Sequence, residues 1–414
     1  MVKTAKPKVR RLKWRDMPLD EIRLPGGVLR LTFGPGSGLA RRAGDPPGVV
    51  WAIGDRGPNL KVAPAMALYG LTGLAHLADR EGAKIMPRPD IGPTLSQLRI
   101  EDGQVELLRS LVITLPSGRA MSGLPLPGGD TEAMEPVFDL AGEPLGVDPG
   151  GADSEGVVAL ANGGFIIADE YGPSLIRLNA EGVVVARWIP AGLEVALAGA
   201  GYPALPVLPA IALARRLNRG FEAIALSADE TWLYVAFQSA LEVPTGAVRS
   251  SRRITRIWKL DALTGAVAGQ YAYPFDEPAS FRRDAEAGPV SRSDLKVCEL
   301  VWVGPDQLLV LERITRSAKI YRIDLAGMAL PPEHLLAGHR PWLEEMTGAE
   351  RKAAGLRPLA KTLMFSTDDA PKVCADLEGM ALLEDGGLIL VNDNDFGVEG
   401  AQTRFYRVDF KPPL

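Results

Sequence analysis

The stretch SEGVVALANGGFIIADEYGPSLIRLNAEGVVVARWIP, residues 154–190, decides the fold. Short apolar runs alternate with the turn-forming pairs Asn162-Gly163 and Glu181-Gly182 and with one Gly-Pro break, which is typical of antiparallel strands joined by tight turns. The pattern predicts strands over 156–160, 165–169, 174–179 and 183–189. Four such strands form one blade of a β-propeller.

The same order of strands and turns recurs along the chain, in copies that begin near residues 37, 155, 222, 299 and 378. This repetition predicts an all-β propeller of four-stranded antiparallel blades, with five visible repeats and room for a diverged sixth in 115–150. The last copy lacks a fourth strand. We expect the apolar segment EIRLPGGVLRLTF (21–33) to supply it, since closing the ring from the opposite terminus removes exposed sheet edges.

The other segments are arranged around this propeller domain, which is predicted to span residues 19–414. Residues 1–18 are basic and are predicted to form a solvated tail. Three insertions interrupt the repeat, at 115–150, 191–217 and 326–356. The last contains PWLEEMTGAERKAAGL, which has the spacing and charge of a short helix. Long loops on a rigid scaffold often shape a binding site.

Composition and motifs argue against several functional classes. The 414 residues carry a net charge of −5 and include no apolar stretch long enough to span a bilayer, so we predict neither a nucleic-acid partner nor a membrane span. The start lacks the apolar core of a secretory signal, which predicts a cytoplasmic protein, or an exported one if a signal has been removed. Cys298 and Cys374 are either buried thiols or one bridge between neighbouring blades. The chain has no GxSxG elbow, no phosphate-binding loop and no GxGxxG motif that opens a helix.

Hairpin register predicts where the acidic residues lie. A two-residue turn at Asn162-Gly163 places Glu155 opposite Glu170, and a turn at Asp385-Gly386 likewise places Glu378 opposite Asp393. First strands usually line a propeller channel, so their acidic starts should meet at one mouth: Glu155, Glu222, Glu299 and Glu378. The second strands end at the same mouth with Asp55-Arg56, Asp169-Glu170, Gln238, Glu312-Arg313 and Asp393-Asn394-Asp395.

Carboxylates gathered in one mouth repel each other, and a divalent cation would offset that repulsion. Oxygen ligands without His or clustered Cys favour Ca²⁺, with Mg²⁺ possible, and argue against zinc. The predicted metal ligands are Asp55, Glu155, Glu222, Glu299, Glu378 and Asp395. In the competing interpretation the acids cap turns or pair with arginines. Arg56, Arg219 and Arg313 either neutralise the acids or hold an anionic substrate group.

Several of these segments resemble the bacterial phytase-like family, named for an esterase-like activity of phytase: SEGVVAL, FIIADEYGPSLIRL, NRGFEAIALS, LLVLERI, AKIYRIDL, LEGMALL and VNDND. The resemblance extends over about residues 30–410. It implies a propeller related in shape to the calcium-dependent propeller phytases, a proposed action on phosphoesters, and frequent export. Carried over by position, its acidic motif residues are Asp55, Glu155, Asp169, Glu170, Glu222, Glu312, Glu378, Asp393 and Asp395.

The residues and the resemblance together predict a metal-dependent hydrolase that acts on a small anionic phosphoester. The catalytic candidates are Glu155, Glu170, Asp169, Glu312 and Asp393. The substrate-binding candidates are Arg56, Tyr171, Arg219, Gln238, Arg313 and Asn394. Two alternatives use the same scaffold: a lactonase or carboxylesterase whose metal polarises a carbonyl, and a non-catalytic propeller that binds a ligand or partner around a structural calcium.

Overall fold

Five inner strands form a closed ring in the computed structural model, which describes residues 6–127, 134–243 and 253–412. Each inner strand contacts the inner strands of two neighbouring blades, and the fifth returns to the first. In ring order these strands are Gly38–Ala40, Ser154–Ala159, Phe221–Leu226, Lys296–Gly304 and Leu377–Leu382. The predicted β-propeller is therefore confirmed. Within the described part of 115–150 the structure has one short strand, Val137–Phe138, and no sixth blade.

Each blade is an antiparallel sheet that runs outward from its inner strand. Blade 1 continues with Val49–Ile53, Thr94–Glu101 and Gln104–Val112. Blade 2 continues with Phe165–Asp169, Ser174–Leu178 and Val184–Pro190, beside which Ala204–Leu208 lies parallel as a fifth strand. Blade 3 continues with Trp232–Phe237, Ile254–Asp261 and Val267–Pro274. Blade 4 continues with Gln307–Arg313, Ala318–Asp324 and Lys361–Ser366. Blade 5 continues with Leu388–Asn392, Phe405–Asp409 and Lys8–Arg11.

The N-terminus closes the ring, but with a different segment from the one predicted. Lys8–Arg11 pairs antiparallel with Phe405–Asp409 as the outer strand of blade 5, whereas residues 21–33 contribute to a separate hairpin of Pro18–Leu24 and Gly27–Thr32. The prediction that 1–18 is a solvated tail was wrong for this strand. Val9 packs against the blade core while its basic neighbours face outward. A charged edge strand of this kind has too few apolar residues to be recognised in the sequence.

The insertions and the other long connections between strands carry the remaining elements. A small three-stranded sheet joins Leu60–Lys61, Lys84–Ile85 and Val137–Phe138. Among the described residues the α-helices are Val62–Tyr69, Arg282–Ala287 and Gly348–Ala353, and the 3₁₀ turns are Thr72–Leu77, Ala210–Ala214, Pro278–Ser280, Arg292–Asp294, Pro332–Leu335, Thr367–Asp369 and Asp395–Gly397. The helix expected in 341–356 is confirmed, and it begins after Thr347 with a capping box that includes Glu350. Within the described ranges no helix is both long enough and apolar enough to cross a membrane.

The core lies between the faces of adjacent blades. Trp51 of blade 1 meets Phe165 of blade 2 edge-on at a ring-centroid distance of 4.7 Å, and Phe221 and Phe237 pack with Trp258 within blade 3. Because apolar side chains occupy the blade faces, the strand ends at the channel remain available for polar residues.

A β-bulge interrupts the first hairpin of four blades, and it changes the predicted register. In blade 2 the loop has three residues rather than two, and Leu160 N donates to Gly164 O at 2.9 Å. Ser154 pairs with Asp169 and Gly156 with Ala168, which leaves Glu155 as the bulged residue. The predicted pairings of Glu155 with Glu170 and of Glu378 with Asp393 were therefore wrong. A bulge adds one residue to one strand and re-aims its side chain.

Candidate functional site

The bulge positions form an inner ring at one mouth of the channel. They are Glu155 in blade 2, Glu222 in blade 3, Cys298 in blade 4 and Glu378 in blade 5. Ser37 takes the corresponding place in blade 1, where its N–H donates to Ile53 O at 3.2 Å beside the Gly38–Ile53 pair. The repeat therefore delivers one side chain per blade to the same level of the channel.

An outer ring stands at the ends of the second strands or just beyond them. Its members are Asp55, Glu170, Gln238, Arg313 and Asp393. The backbone pairs each of the last four with the residue that precedes the inner strand or opens it, namely Asp153, Gly220, Lys296 and Asp376. The two rings together place predicted acidic residues from four blades at one mouth.

Three groups of side chains in these rings come close enough to share a cation. The ligand atoms within each group lie within 4.8 Å of one another. One group is Asp55, Asp153 and Glu155, a second is Glu155, Glu170 and Glu222, and a third is Glu222, Cys298 and Glu378. The structure thus brings together five of the predicted site residues, Asp55, Glu155, Glu170, Glu222 and Glu378.

Burial and mutual repulsion disfavour the charged forms of these acids. Burial, followed by the neighbouring Glu222, raises the pKa of Glu170 to about 8. Burial and then Glu378 raise the pKa of Glu222 to about 7, while burial and then Glu222 raise that of Glu155 well above its usual range. Burial, with Asp395 next, likewise raises the pKa of Asp393. Carboxylates in this state need protons or a cation.

Three buried carboxylate oxygens have no hydrogen-bond partner among the described residues: Asp153 Oδ1, Glu170 Oε1 and Glu222 Oε2. Buried acceptors are ordinarily satisfied, so such atoms need an explanation. A divalent cation that prefers oxygen ligands would satisfy them, and the carboxylate oxygens gathered here are ligands of that kind.

Arg56, in blade 1 next to Asp55, lies at the mouth inside a buried hydrogen-bond network. Its Nη1 donates to Glu135 Oε2 at 2.6 Å, to Asp153 Oδ2 at 2.7 Å and to Tyr171 Oη at 3.1 Å, and Asn218 Oδ1 lies 3.2 Å away. Tyr171 in turn donates to Gly123 O at 3.0 Å. Two predicted substrate-binding residues, Arg56 and Tyr171, are therefore engaged with the protein.

Arg313 is held in the same way on the opposite side. Its Nη1 donates to Asp376 Oδ1 at 2.9 Å, its Nη2 to Glu378 Oε1, and its Nε to Cys298 Sγ at 3.2 Å. Burial raises the pKa of the Cys298 thiol, and the positive charge of Arg313 partly opposes this rise. Both Cys298 and Cys374 are free cysteines, so the possible bridge between blades is absent.

Glu299 does not join the carboxylate ring. Because the bulge in blade 4 falls on Cys298, Glu299 is shifted by one position into the channel. There its oxygens accept the N–H groups of Leu39 and Leu300, each at 3.1 Å. Burial raises its pKa, and those two N–H groups with the N–H groups of Met380 and Ile224 oppose the rise. The predicted role of Glu299 as a mouth ligand was wrong.

Beyond Glu299 the inner strands line the channel mainly with glycine and apolar residues. Gly38, Gly156 and Gly379 stand at the level of Glu299 in other blades, where an added Cβ would lie within 3 Å of neighbouring atoms. Past this neck opens a cavity of about 310 Å³ lined by the following inner-strand residues, such as Leu39, Val157 and Ile224. Glu299 thus separates the polar mouth from the opposite end of the channel.

Three other predicted site residues lie within the protein rather than at the mouth. Asp169 Oδ2 pairs with Arg187 Nη2 at 2.6 Å inside blade 2, and both side chains are fully buried. Glu312 Oε2 pairs with Lys361 Nζ at 2.6 Å and accepts Tyr273 Oη at 2.6 Å. Asn394 bonds Phe33 O and accepts the Phe396 N–H, each at 3.0 Å. The alternation of strand side chains turns Asp169 and Glu312 away from the channel.

The remaining predicted residues do lie at the mouth. Gln238 hydrogen-bonds Glu222, and Arg219 Nη1 donates to Leu295 O at 3.2 Å. Asp393 accepts the Asp395 N–H at 3.1 Å, and burial, followed by Asp55, raises the pKa of Asp395.

Several functional candidates escaped the sequence analysis. Asp153 and Lys296 precede or open their inner strands, at a position that the repeat alignment could have identified. Cys298 holds the bulge position in blade 4, but only knowledge of the bulge separates it from Glu299. Glu135 comes from the insertion 115–150, and Lys84 and Asn218 come from connecting segments outside the repeated strands, where no repeat register exists.

A family model described as "Phytase-like: Esterase-like activity of phytase" matches residues 32–396. An "Uncharacterized secreted protein" of Arthroderma benhamiae is 29% identical over 238 residues, which cover 52% of this chain and 44% of that protein. The match therefore spans less than half the length of this relative.

Solved structures give low-level likenesses. The PQQ-bound aldose sugar dehydrogenase of Streptomyces coelicolor has a TM-score of 0.33 and 12% identity, with coverage of 98% of this chain and 99% of that one. A β-propeller domain from Myceliophteria thermophila has a TM-score of 0.32 and 11% identity, with coverage of 95% and 99%. These scores carry no argument about chemistry.

Proposed function

The chain belongs to the phytase-like family, since the family model matches most of its length, and from this premise we propose that it is a metal-dependent phosphoester hydrolase whose reaction takes place at the carboxylate mouth. One observation carries the proposal. Glu155, Glu170 and Glu222 are gathered within 4.8 Å, and Glu170 and Glu222 each have a buried oxygen that lacks a partner among the described residues.

The donor set suits a hard cation. All three side chains offer carboxylate oxygens, and the three histidines of the chain lie outside this group. Ca²⁺ takes 6–8 oxygen ligands and Mg²⁺ prefers carboxylates with water, so either ion fits this chemistry. When bound, such a cation would polarise phosphoryl oxygens and make a bound water more acidic.

The chain's own residues take distinct roles in this proposal. Glu155 and Glu222 would hold the cation. Glu170 would accept the proton of the attacking water, because its carboxylate lies beside the two proposed ligands and has a buried oxygen without a partner among the described residues. Arg56 would keep Asp153 and Glu135 in place and would balance their charge. The second acidic group, Asp55 with Asp153, borders the same space.

The test combines metal analysis with a substrate panel. Purified protein is assayed on p-nitrophenyl phosphate, bis-p-nitrophenyl phosphate, p-nitrophenyl acetate and a simple lactone, with Ca²⁺, with Mg²⁺ and with chelator. We expect cation-dependent turnover of a phosphoester. Glu170→Gln should lower kcat about 10²- to 10⁴-fold, as is usual for the loss of a general base.

The matched control is Glu181→Gln, on an exposed turn outside the mouth, which should leave kcat unchanged. Turnover of the acetate or lactone alone would favour the alternative esterase chemistry. A protein that turns over neither class, yet retains a tightly bound cation, would be the non-catalytic alternative.

A further inference from the structure

The charges at the mouth are divided between two sides. Blades 1, 2 and 5 supply acids to the outer ring, whereas blade 4 supplies Arg313 there and Cys298 to the inner ring. Lys296 opens the inner strand of blade 4 at the position where blade 2 has Asp153 and blade 5 has Asp376. At this position blade 4 therefore has a positive charge where blades 2 and 5 have a negative one.

Arg219 is a second positively charged side chain on the blade 4 side of the mouth. Its Nη1 donates to the carbonyl of Leu295, the residue next to Lys296, at 3.2 Å. This contact joins the entry to blade 3 with the entry to blade 4. Both side chains also act on the central acids, since Lys296 lowers the pKa of Glu170 and Glu222, and these two acids oppose the fall in the pKa of Arg219.

Lys296 and Arg219 differ from the other two mouth arginines in pairing and exposure. Arg56 and Arg313 are 4% and 2% exposed and are bonded to carboxylates. Lys296 and Arg219 are half-buried, and neither forms an ion pair within the described ranges of the chain. A positively charged side chain that is neutralised by buried acids attracts an anionic ligand only weakly. An accessible, positively charged side chain without an ion pair attracts such a ligand more strongly.

We propose that Lys296 and Arg219 form the anion subsite of the mouth. This subsite holds the non-bridging oxygens of a phosphoryl group while Glu155 and Glu222 bind the metal ion. The inference rests on the proposed function for the class of the ligand. It assigns substrate contact to the blade 3–blade 4 side and leaves Arg56 and Arg313 as positioning residues. Arg219 keeps its charge at neutral pH, because burial and then Arg216 lower its pKa only to about 10.

Binding of inorganic phosphate tests this subsite without turnover. Isothermal titration of the cation-loaded protein with orthophosphate gives a Kd for the wild type, Lys296→Gln, Arg219→Gln and Lys296→Arg. Each loss of a charge-assisted contact should weaken binding about 10- to 100-fold. Lys296→Arg should retain most of the affinity, and cation content should not change in any variant. Lys352→Gln, an exposed lysine on the helix Gly348–Ala353, is the control and should bind as the wild type does.

The inference is overturned if the wild type does not bind orthophosphate, or if both Gln variants bind it as tightly as the wild type. Its failure differs from failure of the proposed function. Phosphoester turnover with phosphate affinity unchanged in both variants would refute the subsite alone. Phosphate binding that depends on Lys296, in a protein that hydrolyses no phosphoester, would support the subsite and refute the enzyme.

Discussion

Blades 2 and 4 share a bulged first hairpin but carry opposite charges at the mouth. In both, a bulge interrupts the inner strand and the second strand ends in the outer ring. Blade 2 presents Glu155 and Glu170 there, and blade 4 presents Cys298 and Arg313. Below the mouth the two blades are alike, because an acid of the second strand pairs with a cation of the fourth strand in each, Asp169 with Arg187 and Glu312 with Lys361.

This comparison separates residues that hold a blade from residues that act at the mouth. Asp169 and Glu170 are adjacent in sequence and equally acidic, yet strand alternation sends one into the blade and the other into the channel. The same division separates Glu312 from Arg313. The repeat therefore keeps the buried pair and the bulge, while the mouth positions differ in charge from blade to blade.

The largest effect on stability should come from the buried pair of blade 2. Asp169→Ala should lower the free energy of unfolding by about 3–5 kcal/mol, because Arg187 would be left as a buried charge without its carboxylate. Glu312→Ala in blade 4 should lower it by less, since Lys361 would keep Asp276 at 2.8 Å. Urea denaturation measures both.

Glu181→Ala, on an exposed turn of blade 2, is the control and should change the free energy of unfolding by no more than about 0.5 kcal/mol. If Asp169→Ala were as stable as the wild type but inactive, Asp169 would belong to the mouth, and the separation between the two kinds of acid would fail.

The acidic side should also make the chelated protein sensitive to pH. In the folded state the pKa of Glu170 is raised to about 8 and that of Glu222 to about 7, from 4.5. The folded state then holds protons that the unfolded chain has released. The stability that these groups contribute is present below about pH 4.5 and is lost as pH rises through 7 to 8.

The melting temperature with chelator should therefore fall between pH 5 and pH 8, by an amount that corresponds to a few kcal/mol. Saturating Ca²⁺ should flatten this dependence, because a ligand bound by the folded state alone stabilises it. Glu170→Gln should reduce the slope, since it removes one of the titrating groups. An equal fall with and without cation would show that these carboxylates do not hold one.

The architecture could be predicted from the sequence because it is repeated. Alternating apolar runs and turn pairs occur in five copies, and five copies fix the blade, its strands and the end of the blade at which acids collect. The closing strand escaped because Lys8–Arg11 carries a single apolar residue, Val9, and an edge strand needs no more.

The site could be predicted at the level of the mouth but not at the level of single residues. A three-residue loop and a bulge shift the pairing of the hairpin, and a one-residue shift exchanges Cys298 for Glu299. Nothing in the composition of the hairpin distinguishes those registers. Glu135 reaches the mouth from the insertion 115–150, and Asn218 and Lys84 reach it from connecting segments whose path depends on tertiary packing.

The smallest effect should come from the thiol of blade 4. Cys298 is fully buried, burial raises its pKa, and Arg313 Nε lies 3.2 Å from its sulfur. Because the Arg313 guanidinium already lies beside the thiol, we expect that Cys298 does not bind the metal ion. Cys298→Ser should therefore change the free energy of unfolding by about 1 kcal/mol or less, and it should leave metal content and turnover as they are.

Cys374→Ser, outside the mouth, is the matched control for this change. Metal content per chain, measured after dialysis against Ca²⁺, is the deciding quantity. Cys298 lies within 4.8 Å of Glu222 and Glu378, so a loss of bound metal in Cys298→Ser alone would mean that these three residues hold a cation. Blade 4 would then share in the metal-binding side, and the division of the mouth into an acidic side and a cationic side would no longer stand.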